Sequence, residues 1–166
     1  MTDNLARDSK PAVRPAAVGD AAAIADLVRL AFSTQSRQTS PPPSAVRETA
    51  ATIADHLVHR GGGAVVEIGG VMVGALLWNE EAGALYIGRL SIHPGHRRRG
   101  LARVLIGEAE REARRQGFSR MTLGVRLELE DNRRLFTSCG FEEMERHCHE
   151  GFTEPTWVAM ERRLTY

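Results

Sequence analysis

The chain has 166 residues, 42% hydrophobic and 26% charged, the composition of one ordinary globular domain and not of a fibre, a repeat array or a disordered tail. Its 22 basic and 21 acidic residues leave a formal net charge of +1, which argues against nucleic acid or an anionic membrane as the main partner. Two cysteines, Cys139 and Cys148, are too few for a secreted disulfide framework.

Residues 1–11 are polar and are expected to form a frayed tail ahead of a single domain over residues 12–166. No signal-peptide core and no apolar run of membrane-spanning length is present, so a soluble, reducing, cytoplasmic setting is expected. The first strand signal is Ala12 to Pro15. Asp20 then stands as an N-cap before a helix-period stripe of Ala21, Ile24, Leu27, Val28, Leu30, Ala31 and Phe32. Thr39 to Ser44 contains three consecutive prolines, which remove backbone donors and force a loop. A second helix is predicted from Ala45 to Arg60, ending at Gly61-Gly62-Gly63.

The period then becomes extended. Ala64 to Ile68 and Val71 to Trp78 form a hairpin around Gly69-Gly70, and Ala84 to His93 forms a third long strand ended by Pro94-Gly95. Leu101 to Gln116 is the longest amphipathic helix, and Met121 to Val125 is a short buried strand. Asp131 is expected to cap a short helix through Ser138, and Phe141 to Cys148 and Thr156 to Glu161 make a final strand pair. The order predicts an α+β domain on one mixed sheet.

Chemistry concentrates in Leu90 to Ala102, LSIHPGHRRRGLA, a strand that passes through an arginine-rich glycine loop directly into the longest helix. The first amides of that helix have no intrahelical partners and lie at the positive end of its macrodipole, where anions bind. Gly100 permits close backbone approach, Ala102 keeps the first turn uncrowded, and Arg97, Arg98 and Arg99 add positive charge. The expected ligand is a phosphate or pyrophosphate.

These residues resemble a family. Arg97-x-x-Gly100-x-Ala102 after Leu90-Ser91-Ile92-His93-Pro94 is similar to the acyl-CoA loop of the GNAT superfamily of N-acetyltransferases, and Asn132 to Phe141, NRRLFTSCGF, is similar to its second signature. The element order matches from about Ala12 to Arg163. The resemblance implies a GNAT fold of about seven strands, mixed but mostly antiparallel, with about four helices and a splay between the fourth and fifth strands. It implies that backbone amides from Arg97 to Arg103, including those of Gly100, Leu101 and Ala102, bind the coenzyme A pyrophosphate. The pantetheine arm would pair with Leu90, Ser91 and Ile92, with Asn132 and Phe136 beside it and the Ile92 amide stabilising the oxyanion. Acetyl-CoA is then the co-substrate, no metal is needed, and an amine of a small molecule or peptide is the acceptor. The resemblance also allows a homodimer.

Two positions depart from the family pattern. The tyrosine that often protonates the departing thiolate is Phe136, and the frequent general-base glutamate is Tyr86. An amine of pKa about 10.4 costs about 4.6 kcal/mol to deprotonate at pH 7, whereas a thiol near 8.5 costs only about 2 kcal/mol to leave as thiolate. Deprotonation is therefore the harder step. Tyr86 through a water chain, His149, Glu80, Glu81, Glu128 and Glu130 are the candidate bases. His147 and His149 fall on one face of an expected strand, but no third or fourth metal ligand stands at customary spacing. The alternative function is a non-catalytic acyl-CoA-binding domain that kept the loop and lost the acid and base.

Overall fold

A computed structural model describes residues 9–166 of the chain; residues 1–8 of the expected tail lie outside the described residues. Seven strands form one sheet in the order β1-β2-β3-β4-β5-β7-β6. They are β1 (Ala12–Pro15), β2 (Gly61–Ile68), β3 (Val71–Glu81), β4 (Ala84–Ile92), β5 (Arg120–Arg126), β6 (Glu142–His147) and β7 (Trp157–Arg163). The helices are α1 (Ala21–Ser33), α2 (Ala50–Asp55), α3 (Leu101–Arg115) and α4 (Glu130–Ser138). This is the expected mixed, mostly antiparallel sheet in a single domain, and β4 with β5 is its parallel pair.

The middle strands are buried on both faces, which is why β3 reads as a continuous apolar run. Ala64, Val66, Leu76 and Trp78 pack toward the layer containing α3 and Phe136, while Val65, Ala75 and Leu77 pack with Ile24, Val28 and Ile53 of α1 and α2. Successive side chains on β2 and β3 thus serve two separate cores.

Several expected boundaries shift, each for a local reason. The predicted helix from Ala45 to Arg60 is three pieces: a 3₁₀ turn at Ser44–Arg47, then α2, then a π-helical turn at His56–Arg60. Glu48 and Thr49 between them are extended, and the Thr49 hydroxyl accepts from Thr52 N–H at 3.2 Å to start a new helix. Gly61-Gly62-Gly63 follows the helical turn directly as the start of β2, three residues before the expected Ala64: a Cβ at Gly63 would lie 2.6 Å from Leu76 O, so the glycines admit a close approach to β3. Asp20 does not cap α1 with its side chain; it receives Arg14 in a two-pronged pair, both contacts 2.8 Å, and accepts from Ala17 N–H at 2.7 Å. Asp131 lies inside the first turn of α4, whose N-cap is Leu129. The last strand runs on to Arg163, and β6 stops at His147, leaving His149 in a loop.

Candidate active site

The site is built around β4. His93 N–H donates to Val73 O at 2.8 Å, and Ile92 stands opposite Gly74. By the alternation of an antiparallel ladder, the N–H and C=O of Ile92 therefore point away from β3. On that side β5 pairs with β4 only at Leu85–Met121 and Tyr86–Thr122. Beyond Tyr86 the two strands part, and the backbone edge of β4 is left open. A bulge adds to the divergence: Arg89 and Leu90, between the Gly88–Leu77 and Ser91–Ala75 pairs, oppose Leu76 alone, and Arg89 takes a φ of 55°. The buried Ser91 closes this bulge by donating its hydroxyl to Arg89 O at 2.9 Å.

At the end of β4, His93 caps a 3₁₀ turn at Pro94–His96 through its Nδ1, which accepts from Gly95 N–H at 3.0 Å. The loop then reaches Gly100, the N-cap of α3, with φ 76° and no side-chain capping bond. Val104 N–H donates to Gly100 O at 3.2 Å, so the amides of Leu101, Ala102 and Arg103 precede the first intrahelical bond. No acidic residue occupies the first turn. Three free amides at a positive helix end form a site for an anion.

The arginines around this end have mostly structural engagements. Arg97 donates to Thr34 O at 2.9 Å, to Ala31 O at 3.2 Å and to Thr34 Oγ1 at 3.0 Å, which ties the loop to the C-terminus of α1. Arg103 donates to Ser138 Oγ at 2.7 Å and Arg99 faces His96 at 3.4 Å. Arg98 is exposed, with φ 63°.

One cleft of about 1450 Å³ joins the helix start to the open edge of β4 and continues to the α1–α2 loop. It brings together Tyr86, Leu90, Ile92, Arg97, Arg98, Gly100, Leu101, Ala102, Arg103, Asn132, Phe136 and His149. Ser91 and Arg99 do not line it. Phe136 is buried and meets Phe141 edge to face at 6.1 Å. Of the other candidate bases, Glu80, Glu81 and Glu130 are exposed, and none of the three lines the cleft. Glu128 borders a separate small cavity, and its Oε2 is buried without a hydrogen-bond partner.

The two remaining candidate catalysts differ in proton affinity. Burial pushes the Tyr86 phenol up, and Glu81 pushes it further, against Arg89 and a main-chain hydrogen bond at Gly124. Burial lowers the His149 imidazole, as does Arg126, while Glu128 opposes them. His149 Nδ1 lies against Thr156 Oγ1, whose oxygen also accepts from His149 N–H at 2.9 Å. His147 does not join His149: it stacks on Trp157 at 4.3 Å. Among the described residues no cluster suited to a metal occurs, and no helix is long and apolar enough to cross a membrane.

Sequence reasoning missed Arg126 and the Glu48–Arg89 pair. Arg126 donates to Pro41 O at 2.6 Å and to Pro42 O at 3.4 Å, pinning the proline loop beside the cleft. Glu48 meets Arg89 at 3.1 Å, holding the helix break against the β4 bulge. A charged residue ending an apolar strand, as Arg126 does, was the one available signal.

The family model described as Acetyltransferase (GNAT) family matches residues 23–141. A comparison with curated proteins finds no match. Among solved structures, yncA from Salmonella typhimurium, solved with its cofactor acetyl-CoA, is 22% identical over 95% of this chain and 96% of that one, with a TM-score of 0.72. The ribosomal-protein-S18-alanine N-acetyltransferase from Escherichia coli is 18% identical over 95% and 96%, with a TM-score of 0.69. The PaiA N-acetyltransferase from Thermoplasma acidophilum, in complex with coenzyme A, is 14% identical over 93% and 99%, with a TM-score of 0.74. At these identities the likeness is one of fold.

Proposed function

The chain belongs to the acetyltransferase (GNAT) family, and from that premise we propose that it moves an acetyl group from acetyl-CoA to a primary amine, of a small molecule or a peptide, by direct attack in a ternary complex. The observation that carries this reading is the opened edge of β4 running continuously to the uncapped start of α3. It offers a line of backbone donors and acceptors for an extended amide-containing arm and, at its end, amides for phosphates.

Acetyl-CoA supplies a thioester carbonyl and a thiol leaving group. The amides of Leu101, Ala102 and Arg103 would hold its pyrophosphate, and the main chain of Leu90 and Ile92 its pantetheine. Ser91 serves by fixing the bulge, and Asn132 and Phe136 wall the gap. The Ile92 N–H, with no partner on β3, faces the space where a carbonyl oxygen gains charge, and such a preorganised donor is worth about 3 kcal/mol.

His149 is the general base in this reading. Its imidazole is held neutral at pH 7 by burial and by Arg126, and Thr156 engages Nδ1, which leaves Nε2 to take the proton from the attacking amine. The amine nitrogen bonds to the acetyl carbon, the carbon–sulfur bond breaks, and the departing sulfur is protonated from water. Phe136 supplies no proton there, and a thiol near pKa 8.5 needs none at a cost of about 2 kcal/mol. The Tyr86 phenol, kept protonated at neutral pH, orients the amine as a hydrogen-bonding hydroxyl. The setting is cytoplasmic, where Cys139 and Cys148 remain free thiols.

Thiol release from acetyl-CoA over a panel of amines tests the reading. Release matched by acetylated amine supports it, whereas tight binding of acetyl-CoA with no release for any amine would leave only a binding domain.

A further inference from the structure

The charges that line the cleft away from the α3 start are nearly all matched. Glu48 is held by Arg89 at 3.1 Å and Asp55 by Arg60 at 3.4 Å. Asp131, at the α4 side, has Arg134 at 3.8 Å. Arg126 is different. It lines the same cleft, forms no ion pair among the described residues, and its two hydrogen bonds go to the main-chain oxygens of Pro41 and Pro42. Carbonyls satisfy N–H groups but cancel no charge, and a guanidinium has five N–H groups, so three remain for a ligand.

Keeping this cation half-buried is unfavourable. Burial lowers its proton affinity, and Glu128, two residues on, offsets this only in part and without pairing. A ligand anion would remove the imbalance, and a carboxylate matches the planar fork of arginine in two parallel bonds. Arg126 is also close enough to His149 to depress its basicity, so the spare cation and the proton acceptor serve one patch of the cleft. That patch fits an amine that also carries a carboxylate.

We propose that Arg126 receives a carboxylate of the acceptor, which makes the acceptor class amines that carry a carboxylate, as free amino acids do. The inference rests on the amine-acetyltransferase reading. Because Arg126 also pins the Pro41–Pro42 segment, occupation of its remaining N–H groups and order in that loop are coupled.

The test uses the full chain with the twenty standard amino acids, each beside its carboxamide, and two short peptides that differ by one acidic residue next to the free amine. Thiol release gives kcat/KM, and calorimetry in the presence of coenzyme A gives affinity. The amino acid that reacts best is expected to exceed its carboxamide by roughly tenfold or more. Arg126→Met should collapse that ratio toward one, and Arg126→Lys should keep part of it. Because the ratio is taken within one protein, it does not move if the loop is merely loosened. A preference confined to the peptide pair assigns the carboxylate to an acidic side chain. Binding discrimination without thiol release would overturn the transferase reading and retain the carboxylate site. Equal use of acids and amides, a ratio unchanged in Arg126→Met, or silence of the whole panel in both assays overturns the proposal.

Discussion

Gly100→Asp probes the anion site at its most exposed point. Gly100 has φ 76° and ψ 10°, and a Cβ there would meet no atom within 4 Å. The cost of the substitution to the free protein is therefore backbone strain alone, about 1 kcal/mol for a left-handed aspartate. The new carboxylate sits at the amides of Leu101, Ala102 and Arg103. At about 6 Å and an effective dielectric of about 20, one unit charge repels another by about 3 kcal/mol. That corresponds to a loss of roughly a hundredfold in acetyl-CoA affinity. Gly100→Ala carries the same strain with no charge and should bind within about tenfold of the parent. Calorimetric titration of both variants, beside their denaturant unfolding curves, separates the terms. A folded Gly100→Asp protein that binds acetyl-CoA as tightly as the parent would refute the reasoning.

Other expectations follow from the same geometry. His149 must be neutral to act as a base, and its pKa is depressed, so the acid limb of kcat/KM should fall below the ordinary histidine value of about 6.5; activity is retained above that limb and lost as pH drops through it. Since Arg126 lowers this pKa and Glu128 raises it, Arg126→Gln should move the limb up and Glu128→Gln should move it down; a profile indifferent to both removes His149 from the base role. Phe136→Tyr should change kcat by less than about tenfold, because thiolate departure without an acid costs only about 2 kcal/mol; a hundredfold gain in stopped-flow turnover would show that leaving-group protonation limits the reaction. Gly63→Ala should destabilise by about 1–3 kcal/mol in urea unfolding, since its Cβ would fall 2.6 Å from Leu76 O and 2.9 Å from Leu77 Cδ2. Gly107→Ala, in mid-α3 with nothing within 4 Å, should instead stabilise by about 1 kcal/mol.

What the sequence made legible follows the range of the interactions. The strand–loop–helix segment from Leu90 to Ala102 was readable because a helix start after a glycine is a local event, and its amides need no distant partner. The β3 run was readable for the same reason, although Asn79 to Glu81 extends it by polar residues whose register with Ala84–Tyr86 only the hairpin fixes. The Ala45–Arg60 segment was misread because its apolar spacing is helical throughout, while the break at Glu48 depends on Arg89, 41 residues away, and on the Thr49 cap. The triple glycine was legible as the end of the helix, but not its second use, room for the β3 backbone, which lies across a strand pair. Arg97 was legible as positive charge beside the helix start, but not the engagement of its guanidinium at the end of α1, 63 to 66 residues away. Arg126 stayed invisible because its contacts lie 84 and 85 residues off in the proline loop. His149 could be nominated by residue type alone; its place in the cleft came from a loop that the strand pattern did not predict.

In this mechanism acetyl-CoA meets the backbone at the end of β4 and the start of α3. An amide-resolved NMR titration with acetyl-CoA should give large shifts for Ile92, Leu101, Ala102 and Arg103, with the β2–β3 turn at Gly69-Gly70 unmoved. Saturable shifts confined to other surfaces, with those four amides unchanged, would contradict binding at this edge.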